Sequence, residues 1–438
     1  MHTKTAVSVA IALMGLGGAL VAQAQSKVEL WGIVDAAVRH TNNEGKDKGG
    51  LTKMIGGGMS QSRWGLNVEE DLGGGSKALA HMEHRFNADT GEKDATAPFF
   101  QLSYVGLQGP YGKLTMGRQW NVLFDVVTST YASFPYSPYM DAYKPELGMA
   151  AGARSSNSLK YTLATPSRNW VGTLQYSFAE GNTNTDAVKN LGLGMLGGPA
   201  AGTQPLTAAR KNAIDTQVNA AASSTTPNAL TTAAGGIAAG ALKQVGGFLR
   251  YSENGISLGG GFLRTSLPGG SDLDAATLGG SYRSGPLYVN LGYGQNKVKW
   301  ANPGMPTTVG AYVGALANRL VDQAIINSMW QGQTNGGFQV GDADKRQMIK
   351  VGFGYQITPQ INAGMHYFHA KQSGSATGLS NGKANFMVAA VDYAFSKRTD
   401  AYFAVDHTKV SGGSNIVIDP TNGARTRTGI TAGLRHRF

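Results

Sequence analysis

The sequence has no cysteine in its 438 residues, so neither disulfides nor thiolate metal sites hold the chain together. Charge is sparse too, at 15% of residues, with 38 Lys and Arg against 27 Asp and Glu giving a formal net charge of +11. Those cations form no basic block, which points to a solute path rather than a nucleic-acid surface. Beyond the first two dozen residues there is no run of about 18 consecutive apolar side chains, so no later segment can cross a bilayer as a helix. A thick hydrophobic core is also missing. Only 41% of residues are apolar and 62 are glycine, a composition that suits a wide barrel with a wet interior better than a packed globule.

Residues 1–24 combine Lys4, an apolar run from Ala6 to Val21 and the small-residue triplet Ala22-Gln23-Ala24. This is a secretory signal, and cleavage is expected after Ala24, leaving residues 25–438 as one unit. From Lys27 onward, apolar and polar residues alternate. Lys27 to His40 sets Val28, Leu30, Val34 and Val38 on one face against Glu29, Asp35 and Arg39 on the other, and Ser62 to Glu69 sets Trp64, Leu66 and Val68 against Arg63, Asn67 and Glu69. Asp71 to Gly75 is a tight turn into Lys77 to Phe86, whose polar face carries His81, Glu83 and Arg85. Asn42 to Gly58 is expected to be loop.

Thirteen further strands are expected, at 99–108, 113–119, 157–164, 170–180, 242–252, 256–266, 275–284, 287–298, 347–357, 360–371, 384–395, 399–409 and 427–438. With the first three they make sixteen, joined alternately by short turns and longer loops. An even count of strands of about ten residues, with that alternation, is the pattern of an all-β, antiparallel transmembrane barrel. Aromatics including Tyr104, Trp170, Tyr251, Tyr282, Tyr293, Tyr393 and Phe403 are placed on the apolar faces, where amphipathic rings suit a membrane interface. In the last strand Ile430, Ala432, Leu434 and Phe438 oppose Thr431, Arg435 and Arg437.

Catalytic patterns are not found. His81 and His84, and likewise His366 and His369, are three apart and fall on opposite faces of a strand, which makes no strand-borne metal pair. There is no HExxH, and Gly73 to Lys77 lacks the spacing of a phosphate-binding loop. No enzyme activity, metal or cofactor is expected.

The stretches VELWGIVDAAV, SRWGLNVEEDLGGGSKALAHMEHRF, YVGLQGPYGKLTMGRQW, ARSSNSLKYTLATP and the ending GLRHRF together resemble the general diffusion porins of β-proteobacteria. The resemblance covers the N-terminal third closely and the last strand; the middle matches by pattern alone. It implies a Gram-negative outer-membrane homotrimer of 16-stranded barrels in lipid and lipopolysaccharide. Each barrel would hold a water-filled pore for small hydrophilic solutes and ions, narrowed by an inward-folded third loop.

That loop is residues 121–156, long for an aperiodic connection. The expected constriction opposes a basic wall of Arg63, Arg85, Arg154 and Lys160 to an acidic side of Glu83, Asp125, Asp141 and Glu146, making a transverse field across a narrow aqueous gap. Gln101 stands where many relatives carry a wall arginine. Arg118 shares parity with Leu114 and Met116 and would face outward unless a bulge intervenes. Two insertions, 181–240 and 301–346, are expected on the extracellular side as surface loops. Leu206 to Ala222 within the first is a candidate helix, and Val313, Leu316, Leu320, Val321, Ile325 and Met329 form a helical stripe in the second.

The sequence therefore predicts a passive, mildly anion-preferring channel that engages no nucleic acid. The competing readings are a substrate-specific channel, a surface receptor or adhesin using the long loops, and an exported soluble binding protein.

Overall fold

The computed structural model describes residues 26–94, 98–133, 145–179, 199–222, 242–301, 306–331 and 341–438. Its first half contains β1 (Lys27–Glu44), β2 (Gly49–Gly56), β3 (Arg63–Gly73), β4 (Ser76–Arg85), β5 (Leu102–Gly109), β6 (Gly112–Trp120), β7 (Arg154–Ala164) and β8 (Trp170–Ser177). Its second half contains β9 (Lys243–Glu253), β10 (Ile256–Ser266), β11 (Asp272–Ser284), β12 (Leu287–Lys299), β13 (Lys345–Gln356), β14 (Ile361–Ser373), β15 (Gly382–Ala394), β16 (Thr399–Gly412) and β17 (Thr426–Arg437). Among the described residues the α-helices are α1 (Val122–Thr130), α2 (Pro145–Met149), α3 (Ala208–Ala222) and α4 (Val309–Gln331).

Every pairing among the described strands is antiparallel, and β1 meets β17 from Ile33 opposite Arg437 to Thr41 opposite Gly429. The sheet closes on itself, so no strand edge is left open. The terminal residue completes the seam: Gly32 and Phe438 exchange backbone hydrogen bonds of 3.0 and 3.1 Å. The Phe438 ring lies where any Gly32 side chain would be.

Seventeen segments make sixteen staves. The first half of β1, Lys27 to Ile33, pairs with β3, and its second half, Ala36 to Glu44, pairs with β2. β2 and β3 are thus two halves of one stave, separated by residues 57–62. The loop expected over Asn42 to Gly58 is corrected here, because it holds the end of β1 and all of β2. Its hairpin is secured by Lys53 against Glu44 at 2.8 Å and by His40 against Thr52 at 2.8 Å, contacts that glycine-rich composition conceals.

The burial pattern is inverted relative to a water-soluble sheet. On β12, Leu291 is 58% exposed while Asn290 and Asn296 on the other face are buried. The same holds for Leu278, Val351, Phe403 and Leu434, exposed beside buried Thr277, Lys350, Asp406 and Arg435. Apolar side chains outside and polar ones inside require a solvent less polar than water around the barrel. Trp170 and Tyr251 meet on that outer face with ring centroids 4.9 Å apart and planes tilted by 48°. Tyr104 is a correction: it points into the lumen, in line with Gln108 and against Val105 and Leu107, which are exposed.

The second insertion is not a loose surface loop where it is described. The stripe residues Val313, Val321, Ile325 and Met329 of α4 are buried against Leu263, Leu273 and Val298 of the inner wall and Ala150 and Ala151 of the third loop. Asp322 accepts hydrogen bonds from the Gly269 and Ser271 backbone N–H groups at 2.7 and 3.0 Å, fixing the helix to the β10–β11 connection. α3 matches the candidate helix of the first insertion and packs beside α4, where Tyr312 donates to Asp215 at 2.5 Å.

Candidate pore constriction

The third loop leaves β6 at Asn121, whose side-chain oxygen caps α1 by accepting from Phe124 N–H at 2.7 Å. From there α1 lies along the inside of β8 to β11. Small residues make that approach possible: Gly279 and Gly292 clasp the Tyr131 ring, which lies 2.7 Å from where either Cβ would be. Ser281 donates to Thr130 O at 2.5 Å and Tyr288 to Ala132 O at 2.9 Å, continuing the attachment. Farther along, Lys350 on β13 reaches Glu146 of α2 at 2.8 Å and Ser133 Oγ at 3.2 Å, while Ser133 N–H donates to the same carboxylate. The loop is therefore riveted to the wall from β9 to β13 and narrows the lumen from that side.

Beside the start of α1, two guanidiniums converge on one carboxylate. Arg63, at the start of β3, lies 3.4 Å from Glu83 Oε1, and Arg154, at the start of β7, lies 3.5 Å from the same atom. Arg154 also sits 4.0 Å over the Trp120 ring, itself stacked on Phe124 of α1 at 4.6 Å. Arg85 pairs with Asp94 at 3.4 Å. Lys160 donates to Trp120 O at 3.0 Å and forms an ion pair with Asp125. Glu83 is thus placed among the basic residues of the wall rather than opposite them, and Asp125 and Glu146 each hold a wall lysine. Asp141 lies outside the described residues.

The loop carboxylates respond to different surroundings. Burial pushes Asp125 above the usual aspartate range, in spite of Lys160 beside it. For Glu146 burial also acts upward, but the Lys350 charge and the Ser133 hydrogen bonds outweigh it and hold the carboxyl below its usual range.

Arg118 has a place. Opposite it β7 carries an extra residue, with Asn157 in the left-handed region at φ 52°, and the ladder shifts between Gly117 and Gln119. Arg118 donates to Gln101 O at 3.1 Å and to Ser156 Oγ at 2.7 Å.

Three clusters escaped the sequence. Lys350 is one. The second is Arg39, fully buried and bound to both Asp406 oxygens at 2.6 and 3.1 Å. The third is Asp35, which accepts from the backbone N–H of Gly58, Met59 and Ser60 and from the Tyr402 hydroxyl, drawing residues 57–62 inward. Inward parity was visible for all three, but their partners come from strands or loops far away in sequence. Near Asp35, Arg435 binds Asp400 at 2.8 Å, so the polar face of the last strand is engaged inside the barrel.

A closed barrel, apolar outside, polar inside and crossed by an attached loop, has counterparts among known proteins. A family model described as Gram-negative porin matches residues 6–413. The chain belongs to the Gram-negative porin family. This porin is a β-barrel of the outer membrane. It is 31% identical over 206 residues to an outer membrane porin protein of Bordetella pertussis, covering 43% of this chain and 51% of that one. It is 34% identical over 160 residues to outer membrane porin protein 32 of Delftia acidovorans, covering 35% and 44%. The porin thus spans about half the length of the curated relatives it matches. Its fold is shared with an anion-selective porin from Comamonas acidovorans at a TM-score of 0.60 and 21% identity, over 94% of this chain and 100% of that one. OmpT of Vibrio cholerae superposes at 0.58 with 10% identity, over 94% and 98%.

Proposed function

We propose that this porin is a passive, water-filled diffusion channel for small hydrophilic solutes and ions, mildly anion-preferring and assembled as a homotrimer. The observation that carries the reading is the third loop. It is attached along one side of a polar lumen by named contacts, which narrows the path, and the Arg63, Arg154 and Glu83 cluster lies where the loop begins. A general channel needs a fixed aperture and a polar lining, and no chemistry.

The anion preference follows from which charges line the path. Two guanidiniums share Glu83, and the chain as a whole is cationic. The Comamonas relative is named anion-selective, which agrees. The homotrimer is supported by the apolar outer wall, which can face lipid or another barrel, and by the trimer form solved for Vibrio cholerae OmpT.

Liposome swelling tests the channel reading. Uptake of neutral sugars should fall smoothly with size and stay proportional to concentration. Saturation by one sugar at low concentration would replace general diffusion with a substrate-specific channel.

A further inference from the structure

Between the constriction and the short-turn end, a cavity of about 250 Å³ opens in the lumen wall, lined among others by Lys27, Glu29, Asn67, His81, Tyr104 and Lys113. Its floor is aromatic. The His81 ring stacks on Tyr104 with centroids 5.2 Å apart and planes 22° apart, and Trp31 backs His81 at 5.9 Å and 23°. Trp31 lies flat over Gly65, where a Cβ would come within 2.8 Å of the indole. His81 Nδ1 is 2.6 Å from Asn67 Oδ1, an acceptor that fixes the proton on Nδ1 and the plane of the ring. The rings are tiles on the wall, set in place before any solute arrives.

Most charges at the rim neutralise one another. Lys27 pairs with Glu29 at 3.5 Å, and Glu69 with Lys77 at 3.0 Å. Lys113 differs: it makes no hydrogen bond or ion pair to another described residue, and it lines the same cavity as the tiles. A flat aromatic surface beside one available ammonium suits a flat ring carrying one negative charge.

We propose that this cavity is a binding subsite for aromatic monocarboxylates, with the ring over His81 and Tyr104 and the carboxylate on Lys113. The inference rests on the channel reading and adds the class of solute that dwells in the path. An aliphatic acid finds the same ammonium without a stacking partner, and a neutral aromatic finds the rings without the charge.

The test is current block in planar bilayers, with sodium benzoate, acetate, benzamide or glucose added on the short-turn side. Block is scored against each variant's own open current. Benzoate should half-block at a concentration about tenfold below acetate, from ring stacking alone, since the charge-assisted contact is common to both anions. Tyr104→Ala should raise that concentration about five- to tenfold, whereas Tyr104→Phe retains it. Lys113→Gln should raise it about threefold and bring benzoate and benzamide together. Equal block by benzoate and acetate in the unaltered protein would overturn the proposal. So would glucose matching benzoate, which would make the surface a sugar platform. Absence of current in KCl would instead strike at the channel reading. The subsite would then be judged by calorimetric binding of benzoate to folded protein in detergent, retained in Tyr104→Phe and lost in Tyr104→Ala if the proposal holds; no binding to the unaltered protein would end it.

Discussion

Lys350 shows how a single side chain governs this lumen. Its ammonium is fully buried, 2.8 Å from Glu146, and the two lie on elements about 200 residues apart. Removing one partner leaves the other charged in a dry site, at a cost of about 3–5 kcal/mol, whereas replacing both by apolar groups is close to neutral. Lys350→Ala should therefore loosen the third loop and give noisy, flickering single-channel currents, and Lys350→Met with Glu146→Leu should restore quiet ones. Acidification should act on the same contact. The Glu146 carboxyl is held below its usual range, so its contribution to stability is complete above the unfolded glutamate value of about 4.3 and is lost as pH falls through the lower folded value. Current noise should rise only in that acid window. Glu146→Gln, which has no such titration, should show no added rise there; an unchanged acid transition in that variant would place its origin elsewhere.

At the scale of elements, α4 and the third loop pack as one body. α4 buries Val321, Ile325 and Trp330 beside Ala150 and Ala151, so it covers part of the long-loop mouth and backs the loop that narrows the pore. Val321→Asp would place an uncompensated carboxylate in that contact. The expected outcome is a larger conductance and a higher solute size limit in swelling assays, with the barrel still folded. The stripe that forms α4 was legible in sequence because period 3.6 is local, but the surface on which it would lie was not. The strand alternation was legible for the same reason, and it yielded sixteen staves with inward Arg63, Glu83 and Arg85. What escaped was long-range or irregular. β2 lacks clean alternation, Tyr104 defied the expectation that aromatics face lipid, and the extra residue at Asn157 shifted the ladder beside Arg118. Pairings such as Glu146 with Lys350 depend on how a long loop lies across a barrel, which no local period encodes.

For the whole molecule, stability comes from closure. There is no cysteine, and a lipid-facing wall cannot leave backbone groups unpaired, so the hydrogen-bond ladder must be continuous. Phe438 completes that ladder at Gly32, and its ring covers the wall there. Deleting Phe438 should lower the thermal unfolding midpoint of the barrel and slow its refolding into detergent or lipid; a midpoint equal to that of the full chain would show that the seam closes without it. The charge of the lumen is also a property of the assembled molecule, since Arg63, Arg154 and Lys113 come from three different strands and act on one path. The most direct measurement is the reversal potential of refolded protein in a planar bilayer under a salt gradient, taken with single-channel conductance. The account predicts ohmic openings in steps of three with reversal on the anion side, and Arg63→Glu with Arg154→Glu should move it toward the cation side. Folded barrels that pass no current would contradict the channel itself.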